Sequence, residues 1–414
     1  MITQSPELTP STPSRNARGG VRRHPFHKLR TSRILLWAAL IILLVIPSLA
    51  FLLQAFVPKL FNASAQGSLT QNFQQAFSGP TFRGIIDSLW ISTASAVLAT
   101  VFATILAYII TRTNAALRRL WSLLIWATLL VPTYLMTEGW QRLLEPSGVL
   151  SIAGINASGF YHIFFGPVGV VIVLTISGIP FSYLVIAAGM RGIGSEFEDA
   201  ARIFGASRME TIRAVLPILA PALLSSLAIV FAESMSDFGV ASTLAAAANF
   251  PVATYTLYNA INAIPLNFGV AAAISWVLVA SAAIPILVQA RALKGRVYQV
   301  ISSRRRQPKI QVLSTKGQAL ATGFMVVFFL ITLGVPGIGV ISASLLSNFG
   351  ASYAVHALTL QNYVQVFKSP LLFQPLALST ELSLLTATAA CLIGVGTARM
   401  MTSQRNLRTA KLVD

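Results

Sequence analysis

The sequence predicts an all-α bundle of transmembrane helices, and three features carry that expectation. Of the residues, 55% are hydrophobic and only 10% charged, with a mean hydropathy of +0.72, outside the range of soluble globular domains. The apolar residues gather into uncharged runs of the length a bilayer demands, about 20 residues for a hydrocarbon core of about 30 Å. Finally, the basic residues fall almost entirely in every second loop.

Eight such runs occur, approximately Ile34 to Pro58, Ile85 to Ile110, Leu120 to Trp140, Gly166 to Met190, Pro217 to Leu244, Phe268 to Ala290, Ala319 to Leu346 and Pro375 to Met400. Cytoplasmic loops carry the excess of Lys and Arg. Of the 30 basic residues, seven precede Ile34, three lie in 111–120, four in 191–216, eight in 291–318 and four from Arg399 onward. Only Lys59, Arg83, Arg142 and Lys368 occupy the alternate loops. Both ends of the chain are therefore expected in the cytoplasm. The net charge of +18 reflects topology, which argues against a nucleic-acid partner.

Residues 1–33, rich in Ser, Thr, Pro and Arg, lack the apolar content to fold alone. They predict a disordered basic tail near anionic membrane lipid. The small residues Ala63, Ser64 and Ala65 fit a processing site, but the apolar run before them far exceeds a signal peptide's usual length of about 7–15 residues. An uncleaved first span is the expectation. Cys391, the only cysteine, lies inside the last span, so no disulfide forms within the chain. The four histidines, His24, His27, His162 and His356, form no cluster with metal-ligand spacing, and no metal site is expected.

The chain also repeats itself. QNFQQAF at 71–77 returns as QNYVQVF at 361–367, matching Gln71, Asn72, Gln75 and Phe77 at an offset of 290. At an offset of 291, Ser88, Ser92, Ala96, Ala99, Ala107 and Thr111 meet identical residues. Each motif precedes a span returning to the cytosol, so a tandem duplication is predicted. The first copy would occupy 34–290 with six spans, a basic cytoplasmic linker would fill 291–318, and a partial second copy of two spans would fill 319–414. The remaining spans of that copy would come from a longer chain or from another polypeptide.

One polar stretch stands out, SEFEDAARIFGASRMETIRAVLP at 195–217. Ser195 with Glu198 makes a capping box, in which each side chain satisfies a free backbone N–H at a helix start. Phe197, Ala200, Ala201 and Phe204 follow at i, i+3, i+4 and i+7, one stripe on one face. Gly205 supplies the left-handed backbone that ends a helix at little cost. Ser207 with Glu210 forms a second capping box, and Pro217 opens the fifth span. Two short helices joined by a hinge are predicted on the cytosolic face. Periodicity alone fits a docking surface, with small Ala200 and Ala201 flanked by Glu198, Asp199 and Arg202, equally with an amphipathic loop resting on headgroups.

DAARIFGAS followed by Leu216 and Pro217 resembles the cytoplasmic EAA loop of ATP-binding-cassette importer permeases. Asp199, Ala200, Ala201, Gly205 and Pro217 occupy the family positions, with Asp199 standing where Glu is usual. The resemblance implies a type I importer permease (MetI-like) fold in a bacterial inner membrane. It also implies that Glu198, Asp199, Ala200, Ala201, Gly205 and Pro217 seat the loop on cytoplasmic ATPase subunits, two copies per transporter. A periplasmic or lipid-anchored binding protein would deliver the solute. ESMSDFG at 233–239 and the two-copy plan are similar to the ferric-iron subgroup, with thiamine permeases sharing that plan. No GxxxxGK[ST] phosphate loop occurs in the chain, so no catalysis or cofactor is expected here; ATP and Mg belong to the partner.

Glu233 and Asp237 lie four residues apart on the fifth span, hence on one helical face. At about 1.5 Å per residue they sit roughly 24 and 30 Å from Pro217. A charge deep in lipid costs about 2.5–3.5 kcal/mol and usually faces a cavity or partner. Two readings stand: lining of the outer pathway for a cationic solute, or structural pairing and capping. Glu381 aligns with Trp90 of the first copy and carries no assigned role. An ion-coupled secondary transporter using the two acids is the rival function class. A membrane enzyme would need clustered His, Cys or carboxylates, which the sequence lacks.

Overall fold

The structure, a computed structural model, describes residues 37–57, 69–146, 148–152, 154–194, 203–205, 207–294, 310–346 and 358–402. The described residues form helices α1 (Trp37–Leu53), α2 (Leu69–Ala76), α3 (Gly79–Arg112), α4 (Arg118–Leu130), α5 (Thr133–Leu144), α6 (Val149–Ile152), α7 (Ser158–Phe164) and α8 (Pro167–Gly192). They continue as α9 (Arg208–Ser236), α10 (Ala253–Asn262), α11 (Phe268–Leu293), α12 (Thr315–Ser344), α13 (Gln361–Lys368) and α14 (Pro370–Thr402). Residues 49–376 make one compact unit, and the apolar turns before Leu49 with the stretch from Ala377 make another.

The all-α, multi-pass expectation holds, while among the described residues the long apolar helices number fewer than eight. Among the described residues six helices (α3, α8, α9 from Leu216, α11, α12 and α14) are long and apolar enough to cross a bilayer, and α1 is a shorter apolar helix. The third expected span is broken: α4 and α5 bend by 97°. The cause is local. Val131 precedes Pro132, whose ring excludes the helical conformation from the residue before it, and Val131 is extended at φ −82°, ψ 116°.

Three helices build the centre of the larger unit. One face of α3 carries Ser88, Ser92, Ser95, Ala96, Ala99, Ala103 and Ala107, all buried, against which α8 and α9 pack. Lipid tails give apolar side chains no reason to associate, so membrane helices pair where small residues let backbones approach. Gly178 of α8 fits this closely: a Cβ there would meet the side chains of Val230 and Ala99. At the same level Thr100 and Ser226 share a 2.9 Å hydrogen bond, and Ser226 donates to Ser182 at 2.7 Å.

The helix α12 packs on helices from earlier in the chain. Phe329 stacks on Trp121 with ring centroids 5.6 Å apart, Met325 is fully buried, and Gly139 of α5 meets Pro336 and Gly339 backbone to backbone. The matched motifs also take matched roles. Both α2 and α13 are eight-residue helices leading into long ones. Asn72 donates to the Ala55 carbonyl at 3.2 Å, and Asn362 to those of Ser344 and Leu346 at 3.0 and 2.6 Å. In α1 a π-helical turn at Ile41–Val45 precedes Pro47, and in α12 one at Leu330–Gly334 precedes Pro336. A proline lacks an N–H and crowds the carbonyl four residues back, a common origin of such bulges. Within the smaller unit, described side chains from 377 onward are mostly exposed.

Candidate functional site

The first candidate segment lies between α8 and α9. Glu198, Asp199, Ala200 and Ala201, with the first capping box at Ser195, fall outside the described residues. The described part begins at Ile203 and Phe204, which are 82% and 89% exposed. Gly205 follows at φ +77°, the left-handed backbone that glycine adopts without strain. Ser207 then caps α9: its N–H donates to Glu210 Oε2 at 2.7 Å, and its Oγ accepts from the Glu210 N–H at 3.4 Å. These bonds from Ser207 hold the Glu210 carboxyl below the usual glutamate range.

The structure differs from the expected hinge in one respect. The second short helix and the fifth span are one element, α9, running from Arg208 through Pro217 and Pro221 to Ser236. Pro217 therefore lies inside a continuous helix. The apolar stripe includes Phe204 but not Ile203, which the structure leaves equally exposed.

The membrane candidates sit toward the other end of α9. Glu233 Oε1 accepts from Ser177 Oγ of α8 at 3.4 Å, while Glu233 Oε2 is buried with no protein partner among the described residues. Asp237 is the residue at which α9 ends after Ser236, its backbone turning out of the helix at φ −65°, ψ 127°. Its Oδ1 accepts from the Val240 N–H at 2.8 Å, starting the next helical turn, and its Oδ2 accepts from Thr133 Oγ1 at 2.9 Å. Thr254 donates to its carbonyl at 2.9 Å. Asp237 thus fastens the break in the chain to α5 and α10.

Beside it lies a cavity of about 20 Å³ lined in part by Ser88, Ser92, Ser234, Asp237 and Thr254, enough room for one water. The Ser234 hydroxyl is buried there without a protein partner among the described residues. No group of three or more His, Cys, Asp or Glu side chains among the described residues could hold a metal. The helix break and the captured carboxylate left no sequence signal, since an Asp in an apolar run reads alike as a capping and as a lining residue.

Residues 99–297 match the family described as binding-protein-dependent transport system inner membrane component. The chain is 26% identical over 298 residues to the ferric transport system permease protein FbpB of Actinobacillus pleuropneumoniae, covering 70% of this chain and 42% of that protein. It is 25% identical over 292 residues to a putative ferric transport system permease, FbpB 1, of Haemophilus influenzae, covering 69% and 45%. A sulfate transport system permease, CysT, of Salmonella typhimurium is 28% identical over 149 residues, covering 34% and 50%. The chain thus spans less than half the length of the ferric permeases it matches. Among solved structures, a bacterial alginate ABC transporter chain, in complex with an alginate-bound periplasmic protein, superposes with a TM-score of 0.50 at 16% identity, covering 64% of this chain and 94% of that one. The same fold, at a TM-score of 0.50, is found in a second structure of an alginate importer. The chain is thus a multi-pass helix bundle that over residues 99–297 is similar to the inner membrane components of binding-protein-dependent transport systems, and over about 70% of its length to ferric transport permeases.

Proposed function

We propose that the chain is the membrane subunit of an ATP-driven importer of ferric iron. A periplasmic binding protein delivers the solute, and two cytoplasmic ATPase subunits, which hold ATP and Mg, grip the segment 195–217. Both termini lie on the ATPase side, as the loop charges require. The observation that carries this reading is the junction at Gly205 and Ser207, where a left-handed glycine is followed at once by a capped 29-residue helix. Such a lever turns a small push on the cytosolic segment into motion at Glu233 and the Asp237 break. Exposed Ile203 and Phe204 suit an apolar socket on the partner. Cysteines placed at 200 and 201 are expected to crosslink to the ATPase in native membranes; failure to trap any such protein overturns the assignment.

The carboxylates bear on the solute. Glu233, with a buried oxygen free of protein partners among the described residues, suits a passing cation and would repel an anion such as sulfate. Asp237 is engaged as a cap, so the pathway role rests mainly on Glu233. Iron uptake by a Glu233→Gln, Asp237→Asn double variant at wild-type abundance and rate would remove that role. Uptake that ignores the ATPase but follows a proton gradient would favour an ion-coupled carrier instead.

The repeated motifs support a tandem duplication, with 34–290 as the first copy, 291–318 as the linker and 319–414 as part of the second. The paired Asn72 and Asn362 caps and the paired proline-adjacent π-helical turns favour it.

A further inference from the structure

At the last position of α3, Arg112 is buried, with 5% exposure, and it is bonded in two directions. Its guanidinium donates to the carbonyl of Met190, and to that of Ile193 at 2.9 Å. These carbonyls lie at the C-terminal end of α8, where that of Met190 also accepts from the Ile193 N–H at 3.3 Å and the negative end of the helix dipole attracts a cation. Immediately beyond them the chain departs into the segment 195–217.

The main chain of Arg112 faces the other way, toward the linker. Its carbonyl accepts from the Gln311 N–H at 2.8 Å, and the Asn114 N–H donates to the Gln311 carbonyl at 3.1 Å, a lone parallel bridge centred on Thr113 and Gln311. Side chains close the clasp. Tyr108 OH donates to Gln311 Oε1 at 2.6 Å, and Asn114 Oδ1 accepts from the Leu313 N–H at 2.8 Å. One residue later Ser314 caps α12. Ordering backbone costs about 1–2 kcal/mol per residue, so a mere tether has no reason to be fastened by this many directed bonds.

We propose that Arg112 with the Tyr108–Gln311 clasp is a mechanical junction, through which displacement of the coupling segment reaches α12 as well as the first-copy helices. The proposal rests on the importer reading. In it, Arg112, Tyr108 and Gln311 are positioning residues: they touch no solute and no nucleotide. A clasp that only stabilised the fold would lower abundance, whereas a transmitting clasp sets how much solute moves per ATP.

The test uses the full transporter with its ATPase and binding protein in proteoliposomes, with binding-protein-delivered ferric iron as the probe. Gln311→Pro removes the N–H donated to Arg112, and Tyr108→Phe removes the side-chain bond. The double variant is expected to hydrolyse ATP at the wild-type rate while moving at least about fivefold less iron per ATP, the lower end of typical coupling effects. Gln311→Ala, which keeps the N–H, should fall between. An unchanged ratio in the double variant overturns the proposal. If the proline variant is poorly inserted, Thr113→Cys with Gln311→Cys on a Cys391→Ser background decides. Oxidation, which locks the clasp shut, should leave iron moved per ATP unchanged; loss on oxidation, reversed by reductant, means the clasp must open and overturns the proposal. Absence of ATP-dependent uptake by the unsubstituted protein would strike instead at the importer reading itself.

Discussion

Thr133 donates its hydroxyl to Asp237 Oδ2 across 2.9 Å and 104 positions of sequence. The bond joins the first residue of α5 to the break after α9. Gly239 makes the approach possible, since a Cβ there would run into the Thr133 hydroxyl and lie 3.0 Å from the Tyr134 nitrogen. Thr133→Val removes one hydrogen bond to a carboxylate and is expected to cost about 1.5–3 kcal/mol, read as a lower unfolding temperature in detergent. Thr133→Ser, which keeps the hydroxyl, should stay near wild type; equal losses for both would show that the methyl, not the bond, matters.

Between the central helices, Ser226 stands in the middle of a buried hydroxyl chain, 2.9 Å from Thr100 and 2.7 Å from Ser182. Interhelical hydrogen bonds in membranes average only about 0.6 kcal/mol. Ser226→Ala should therefore be mild, and Ser226→Leu severe, because bulk at a contact of small residues forces α3, α8 and α9 apart. Comparing denaturation of the two variants separates hydrogen bonding from packing.

Where α12 crosses α5, the backbones of Gly139, Pro336 and Gly339 touch. Gly139→Ala already places a Cβ against the Pro336 main chain, which cannot swing aside as a side chain would. Overpacking of this kind costs about 1–3 kcal/mol. Membrane abundance should drop, and faster proteolysis near residue 310 would locate the loosened contact. Gly323→Ala, where no atom lies within 4 Å of the added carbon, is the matched control.

The cap at the start of α9 predicts a pH dependence. Glu210 is held below the usual glutamate range by Ser207, so its folded value is the lower one. The stabilisation is present above the unfolded value and is lost as pH falls through the folded value. Amide exchange at the first turn of α9 should quicken on acidification through that window. Ser207→Ala should abolish the dependence and weaken the helix start by about 1 kcal/mol; exchange in the variant that still changes over the same range would point to another group.

Taken alone, the sequence determined what is set over three or four residues or by length and polarity. Apolar runs located the long helices, Ser207 and Glu210 marked the start of α9, Gly205 announced its left-handed turn, and QNFQQAF with QNYVQVF marked two equivalent helices. Each of these depends on neighbours within a turn or on transfer into lipid, so the residues themselves suffice. The tertiary structure decided that α4 and α5 part at Pro132, that Asp237 is captured by Thr133, that α12 crosses α5 at Gly139, and that Leu313 is held by Asn114 from 199 positions away. Contacts so distant depend on which helix faces come together. Small residues spread along every span permit many pairings, and only the packed bundle selects one.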